Sequence, residues 1–270
     1  MRHSCLTKGK SFMRIIQAIC IAVSTYSILP VPHVSWSEKN MRYSLCALPL
    51  VGLLIGGMLL FWKWLCIGFG IGSILFSAVA VTIPVLITGG IHMDGFCDTI
   101  DAISSRQEKE RKLAILKDPH VGAFAVIYVC VYLLLCFGMY TELFSMTVAV
   151  NIVCVGFILS RALAVWSAIT IPNAKKGGML AAFKDHLEKR ISLTVVISCS
   201  VFCAFGLYML HTVIGIFCVL LCILWLFLYR NMVMRHFGGT TGDTTGFFLQ
   251  MTELLILLGA VLGKFFERMM

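Results

Sequence analysis

The sequence predicts an all-α fold, a polytopic membrane helical bundle of about seven transmembrane helices plus an N-terminal re-entrant or interfacial segment. Three observations predict it. Hydrophobic residues make up 59% of the chain, and its mean hydropathy is +0.93; soluble domains hold roughly 45–50% apolar residues. Seven runs approach the ~20 apolar residues that cross a hydrocarbon core. The basic residues fall almost wholly into alternate loops, as the positive-inside rule requires. The 270 residues read as one integral membrane domain, 1–270, with no repeat, low-complexity tract or soluble second domain.

Taken in order, the first apolar stretch is 14–30. It holds Gln17, Ser24, Thr25 and Ser27 and ends at Pro30-Val31-Pro32. Basic residues precede it, as in a signal peptide, but no A-x-A-like cleavage site follows, and that reading is rejected. The expected spans are 43–61, 65–90, 121–140, 143–160, 191–210, 212–229 and 247–263. If 14–30 does not cross, loops 1–42, 91–120, 161–190 and 230–246 share one side. That side then holds every basic residue except Lys63, Lys264 and Arg268, and is expected to be cytoplasmic. The net charge of +9 follows from this loop bias, so no nucleic-acid partner is expected. The 12 cysteines include no C-x-x-C pair and lie mostly in apolar runs, where cysteine acts as a small hydrophobe. Gly52-x-x-x-Gly56 and Gly68-x-x-x-Gly72 are expected to let helices pack closely.

The most informative segment is Thr88-Gly-Gly-Ile-His-Met-Asp-Gly-Phe-Cys-Asp-Thr-Ile-Asp101. Asp94, Asp98 and Asp101 are spaced i, i+4, i+7 and share one face of a helix. Like charges on one stripe repel, and a divalent cation would offset the repulsion. Mg2+ favours carboxylate oxygens and keeps waters or substrate phosphates in its shell. A solvated helix face is the simpler alternative, weakened because no base interleaves these acids. His92 is expected to be a neutral, hydrogen-bonded ring.

Downstream, Lys117-Asp118-Pro119-His120 follows a basic run that suits a phosphorylated substrate. Arg161 is expected at the end of the fourth span, followed by Lys175-Lys176-Gly177-Gly178. The loop Phe237-Gly-Gly-Thr-Thr-Gly-Asp243-Thr-Thr-Gly246 offers hydroxyls, backbone N–H groups and one carboxylate. Glycine loops that open a helix hold phosphate, though such a loop is equally a plain turn. Glu253 lies inside the last span, where an acid is costly. The side assigned from Lys and Arg alone places Asp243 with the Asp94 cluster, which points to one shared site.

Five segments together resemble the cobalamin-5'-phosphate synthase family, whose members are also called adenosylcobinamide-GDP ribazoletransferases. They are Gly89 to Asp101, Leu116 to Phe124, Ser160-Arg-Ala-Leu163 with Gly238 to Asp243, and the Thr-Glu-Leu-Leu around Glu253. The likeness runs from the N-terminal segment to the last span. Ala102 stands where the family usually has Gly, and Pro119-His120 where many members have a small residue and Arg. The resemblance implies joining of adenosylcobinamide-GDP to α-ribazole or its 5'-phosphate with release of GMP. It also implies Mg2+ and a bacterial cytoplasmic (inner) membrane with the active site facing the cytoplasm. Asp94, Asp98 and Asp101 are carried over as its acidic motif and metal ligands, with Asp101 alternatively the base. Lys117 and Arg161 are expected to neutralise phosphate, Asp118 to orient Lys117, and His120 and Gly239 to contact substrate. Asp243 and Glu253 complete the expected site, and an oligomer is compatible with the sequence.

Three rivals are weighed. A CDP-alcohol phosphotransferase also begins Asp-Gly, but requires Ala-Arg where Phe96-Cys97-Asp98 stands. A cation transporter would keep acids near mid-membrane, and only Glu253 fits. A non-catalytic scaffold leaves the Asp94 cluster unexplained.

Overall fold

The computed structural model describes residues 2–175 and 177–269, with side chains from Met13 onward except Arg268. Lys176 and the side chains of Arg2, Lys8, Lys10 and Arg268 therefore lie outside the described residues. The chain forms α1 (Arg2–Tyr26), α2 (Glu38–Met41), a 3-10 turn (Ser44–Ala47), α3 (Leu48–Phe69), α4 (Ser73–Thr88) and α5 (Ile91–Ser104). There follow α6 (Lys109–Ile115), α7 (Ala123–Leu143), α8 (Thr147–Thr170), α9 (Met179–His186), α10 (Lys189–Leu210), α11 (Thr212–His236) and α12 (Gly242–Met269). Among the described residues the only β pairing is a bridge between Asn173 and Thr240.

Among the described residues six helices are long and apolar enough to cross a membrane, and α4 with α5 makes a seventh candidate bent by 95°. The polytopic helical bundle is thus realised. The apolar part of α1, Met13–Tyr26, is about 21 Å long at 1.5 Å per residue, short of a ~30 Å core. It stops before Pro30 and Pro32, and Ile28 N–H donates to the carbonyl of Ile87 at the end of α4 (2.9 Å).

Two expected boundaries are corrected. The turn placed near Lys63 does not exist: Lys63 is inside α3, buried, and its amine donates to the carbonyl of Phe144. The long Lys stem lets the charge reach a helix end from an apolar run. The break comes at Gly70, whose φ of +67° closes α3 in the left-handed conformation, one that glycine adopts without a Cβ clash. Gly68 and Gly72 therefore share no helical face, and both border open space. The fourth span is α8 rather than 143–160, which puts Arg161 well inside a helix.

The bundle is organised around α8 and α12, with 78% and 72% of their apolar windows buried. Gly52 lets α3 pack on α8, because a Cβ there would lie 2.3 Å from the carbonyl oxygen of Phe157. Gly56 does the same against Cys154. Helices α7, α10 and α11 have only 22%, 17% and 28% of their windows buried, and form the lipid-facing ring.

Candidate functional site

The acidic helix α5 is placed by glycines at both of its critical points. Gly89 and Gly90 take φ of +63° and +79°, and the chain turns by 95° between α4 and α5. The segment that carries the aspartates thereby leaves the span and lies across the basic-rich end of the bundle. There it meets the start of α12. A Cβ at Gly95 would stand 2.7 Å from the carbonyl oxygen of Asp243, and one at Gly246 would stand 3.1 Å from that of His92. Asp94 and Asp243 each occupy the first turn of a helix, where the N-terminal partial charge favours a carboxylate. Two acids separated by 149 positions thus share one junction, with Asp98 one helical turn further along α5. Burial, then the charges of Asp94, Asp243 and Asp101, push Asp98 up to about 7.

Beside this junction lies a cavity of about 580 Å³. Its wall includes Asp94 and Asp243, the ammonium-bearing Lys117 and Lys175, and Asn173. Its other half is apolar, with Leu45, Leu48 and Ala164 from α3, its preceding turn and α8. His92 also lines it, stacked on Tyr26 with ring centroids 5.9 Å apart. Burial, then the charge of Arg161, push His92 down to about 3, so the ring is neutral. Its Nε2 has no hydrogen-bond partner among the described residues, unlike the bonded ring expected from sequence.

The other sequence-predicted residues are distributed as follows. Asp101 faces α7: its two carboxylate oxygens accept from the N–H groups of Gly122 (2.6 Å) and Ala125 (2.9 Å). It caps that helix from another part of the chain. Asp118 and His120 form a local exposed turn, with His120 N–H and Nδ1 at 3.0 and 2.7 Å from Asp118 Oδ1, and neither lines the cavity. Gly239 packs on the 172–174 segment, a Cβ there falling 2.4 Å from the carbonyl oxygen of Pro172. Arg161 is fully buried, and its Nη1 is 2.5 Å from Glu253 Oε1. The same nitrogen donates to the carbonyl of Phe157 (3.0 Å) and to Ser160 Oγ (3.1 Å). Arg161 and Glu253 thus form a buried pair joining α8 to α12, away from the cavity wall. A water-sized void of about 20 Å³, bordered by Tyr132, Tyr140 and Gln250, adjoins Glu253.

The threonine-rich loop is largely spent on structure. Thr241 Oγ1 accepts from Thr244 N–H (3.2 Å) while Thr244 Oγ1 accepts from Thr241 N–H (2.8 Å), a reciprocal cap at the start of α12. Tyr229 OH bonds Thr240 Oγ1 at 2.9 Å. The same loop recruits two residues to which sequence reasoning gave no role. Thr240 N–H donates to Pro172 O (2.8 Å), and Ala174 N–H donates to Thr240 O (2.9 Å). These bonds bring Asn173 and Lys175 to the cavity. Burial lowers Lys175 below the ordinary lysine value, with Asp243 acting in the opposite sense and Lys117 in the same one. The one sequence signal was the Lys175-Lys176 pair after Pro172, which by itself reads as loop charge.

Among the described residues no three His, Cys, Asp or Glu side chains are grouped closely enough to hold a metal ion unaided. The donor set still fits Mg2+, which is commonly bound through one or two carboxylates plus substrate phosphates. Asp94 and Asp243 face the cavity and Asp98 lies next to them; burial first, and then the charges of Asp94, Asp243 and Asp101, raise Asp98, and a cation would relieve the second of these.

A bent acidic helix set against a helix start, beside a lysine-bearing cavity at one end of a membrane bundle, defines a polytopic membrane protein whose cavity wall carries lysines and carboxylates together. The family described as Cobalamin-5-phosphate synthase matches residues 18–261, and the chain belongs to that family. A Lachnoclostridium phytofermentans protein named Adenosylcobinamide-GDP ribazoletransferase is 42% identical, over 93% of this chain and 96% of its own. Proteins of the same name from Pseudomonas putida and Clostridium botulinum are 34% and 30% identical, each over 98% of its own length and at least 90% of this chain. No solved structure matches the chain.

Proposed function

We propose that this chain is a Mg2+-dependent adenosylcobinamide-GDP ribazoletransferase of a bacterial inner membrane, with its active site facing the cytoplasm. The observation that carries the reading is the convergence of Asp94 and Asp243 on one cavity wall with Lys117 and Lys175. The orientation rests on the basic residues that surround that cavity.

A ribose hydroxyl of ribazole forms a bond to the phosphorus attached to cobinamide. The bond from that phosphorus to the GMP oxygen breaks, and the hydroxyl proton goes to an acidic group of the site. Phosphoryl transfer of this kind depends mainly on positioning and charge stabilisation. Asp94 and Asp243 would hold Mg2+, with Asp98 adjacent; the ion would supply charge neutralisation at the diphosphate. Asp98, which burial pushes up to about 7, is in its ionised form the carboxylate best poised to accept the proton. Asp101 acts by fixing α5 to the start of α7. Arg161 and Glu253 hold the frame.

The test is turnover by purified protein in liposomes given adenosylcobinamide-GDP, ribazole 5'-phosphate and Mg2+. GMP release with a new complete corrinoid, abolished by EDTA, is the expected result. Folded protein that yields neither product from phosphorylated or unphosphorylated ribazole overturns the reading.

A further inference from the structure

Lys175 is held in the cavity by backbone pairing and not by its own side chain. The bonds between Pro172, Ala174 and Thr240, with Gly239 pressed against the same segment, tie the 171–175 stretch to the loop that opens α12. That loop carries Asp243. Lys175 and Lys117 therefore line one cavity with Asp94 and Asp243. Among the described residues neither lysine forms an ion pair. Asn173 lines the same wall, and among the described residues its buried Oδ1 has no hydrogen-bond partner.

The charges decide what this corner binds. A divalent cation on Asp94 and Asp243 leaves those three groups neutral together. Two lysines remain, with two positive charges close enough to repel. A phosphate monoester carries close to two negative charges and offers three strong acceptor oxygens. A nearby ribose hydroxyl would satisfy Asn173 Oδ1, which is costly to leave unpaired. The donor's diphosphate has the cation as its partner, whereas the acceptor's 5'-phosphate takes no part in the bond change and needs cationic partners of its own.

Resting on the ribazoletransferase reading, we propose that Lys175, with Lys117, binds the phosphate of a ribosyl phosphate acceptor while Asn173 accepts from its ribose, so that Lys175 sets the preference for phosphorylated over unphosphorylated ribazole. The experiment compares wild type, Lys175→Gln and Lys175→Arg in liposomes. It measures kcat/KM for ribazole 5'-phosphate and for ribazole, and KM for the donor, alongside calorimetric binding of ribose 5-phosphate. Lys175→Gln is expected to lower kcat/KM for the phosphorylated acceptor about tenfold more than for ribazole, and to weaken ribose 5-phosphate binding by a similar factor. Lys175→Arg should recover most of both. Equal losses on the two acceptors, or a rise confined to the donor's KM, overturn the assignment, the second placing Lys175 on the diphosphate. If wild type turns over neither acceptor yet binds ribose 5-phosphate through Lys175, the transferase reading fails and the phosphate seat stands. Ribose 5-phosphate binding that is the same with and without the lysine removes the seat.

Discussion

At the end of the bundle away from the cavity, charged side chains are matched to helix ends or to each other. The Lys63 amine donates to the carbonyl of Phe144, Lys264 to the carbonyl and carboxylate of Glu142, and His211 pairs with Glu267 at 3.1 Å. Deeper in the bundle, Arg161 is matched to Glu253. The cavity wall is different. Among the described residues Asp94, Asp98, Asp243, Lys117 and Lys175 form no ion pair. Matched charges in a low-dielectric bundle fix helices relative to each other. Unmatched charges of both signs around one hollow are a cost in the empty protein, and a ligand removes it. The matched ionic residues build the frame, and the unmatched ones are those we propose for the chemistry.

The largest expected effect is on the frame. Glu253→Gln leaves the Arg161 guanidinium buried without a counter-charge, and breaking such a pair costs about 3–5 kcal/mol. Thermal unfolding of the variant should shift sharply downward. The double variant Arg161→Met, Glu253→Leu removes both charges and should recover most of that loss. A Glu253→Gln protein with unchanged melting and no turnover would move the pair from the frame into the site.

Next is the cavity itself. Asp94→Asn and Asp243→Asn should each reduce turnover by about 10²–10³-fold, the scale seen when one preorganised electrostatic group is removed. Their melting temperatures should stay level or rise, because each change relieves repulsion. A variant that loses stability while its folded fraction keeps full activity would show that its acid belongs to the frame.

How much of this division was legible in the sequence depends on how far apart its parts lie along the chain. The helical bundle, the Gly52–Gly56 packing face and the helix that carries Asp94, Asp98 and Asp101 follow local rules of length and periodicity, and these are realised, with six long apolar helices and the bent α4–α5 pair in place of the seven expected runs. The Lys63 turn was misplaced because a charge in an apolar run reads as a loop, whereas the amine reaches the end of α7. Arg161 was read as a phosphate contact because its counter-charge, Glu253, lies 92 residues on. Asp101 was grouped with the other acids by spacing, yet its carboxylate caps a helix that begins about twenty residues later. Lys175 reaches the cavity through backbone bonds to Thr240, and no side-chain pattern marks such a bond.

A smaller effect concerns pH. Asp98 is raised to about 7 in the fold, against ~3.9 in an unfolded chain. Between those values the folded protein keeps a proton that the unfolded chain releases. Without a cation, stability is therefore fully present below about pH 4 and declines as pH rises through about 7. Mg2+ held by the neighbouring acids should offset that decline, so its gain in melting temperature should be larger at about pH 8 than at about pH 5. Asp98→Asn should flatten the difference. A Mg2+ effect that is absent, or the same at both values, would separate the metal from this cluster.

The smallest expected effect is at the opposite end. Lys264 is nearly buried, and its amine rests on the last turn of α7 at Glu142. A cation at a helix C-terminus contributes about 0.3–1 kcal/mol, and methionine keeps much of the apolar stem that packs there. Lys264→Met should therefore lower melting by a few degrees at most. Turnover per folded molecule should not change, since the residue lies across the bundle from the cavity and shares no partner with it, and distant independent sites add without coupling. The informative measurement is the double variant with Asp94→Asn: the melting shift of Lys264→Met should be the same in both backgrounds. A shift that depends on Asp94, or a change in kcat from Lys264→Met alone, would mean that α7, capped by Asp101 at one end and by Lys264 at the other, transmits force between them, and that the matched and unmatched charges do not act separately.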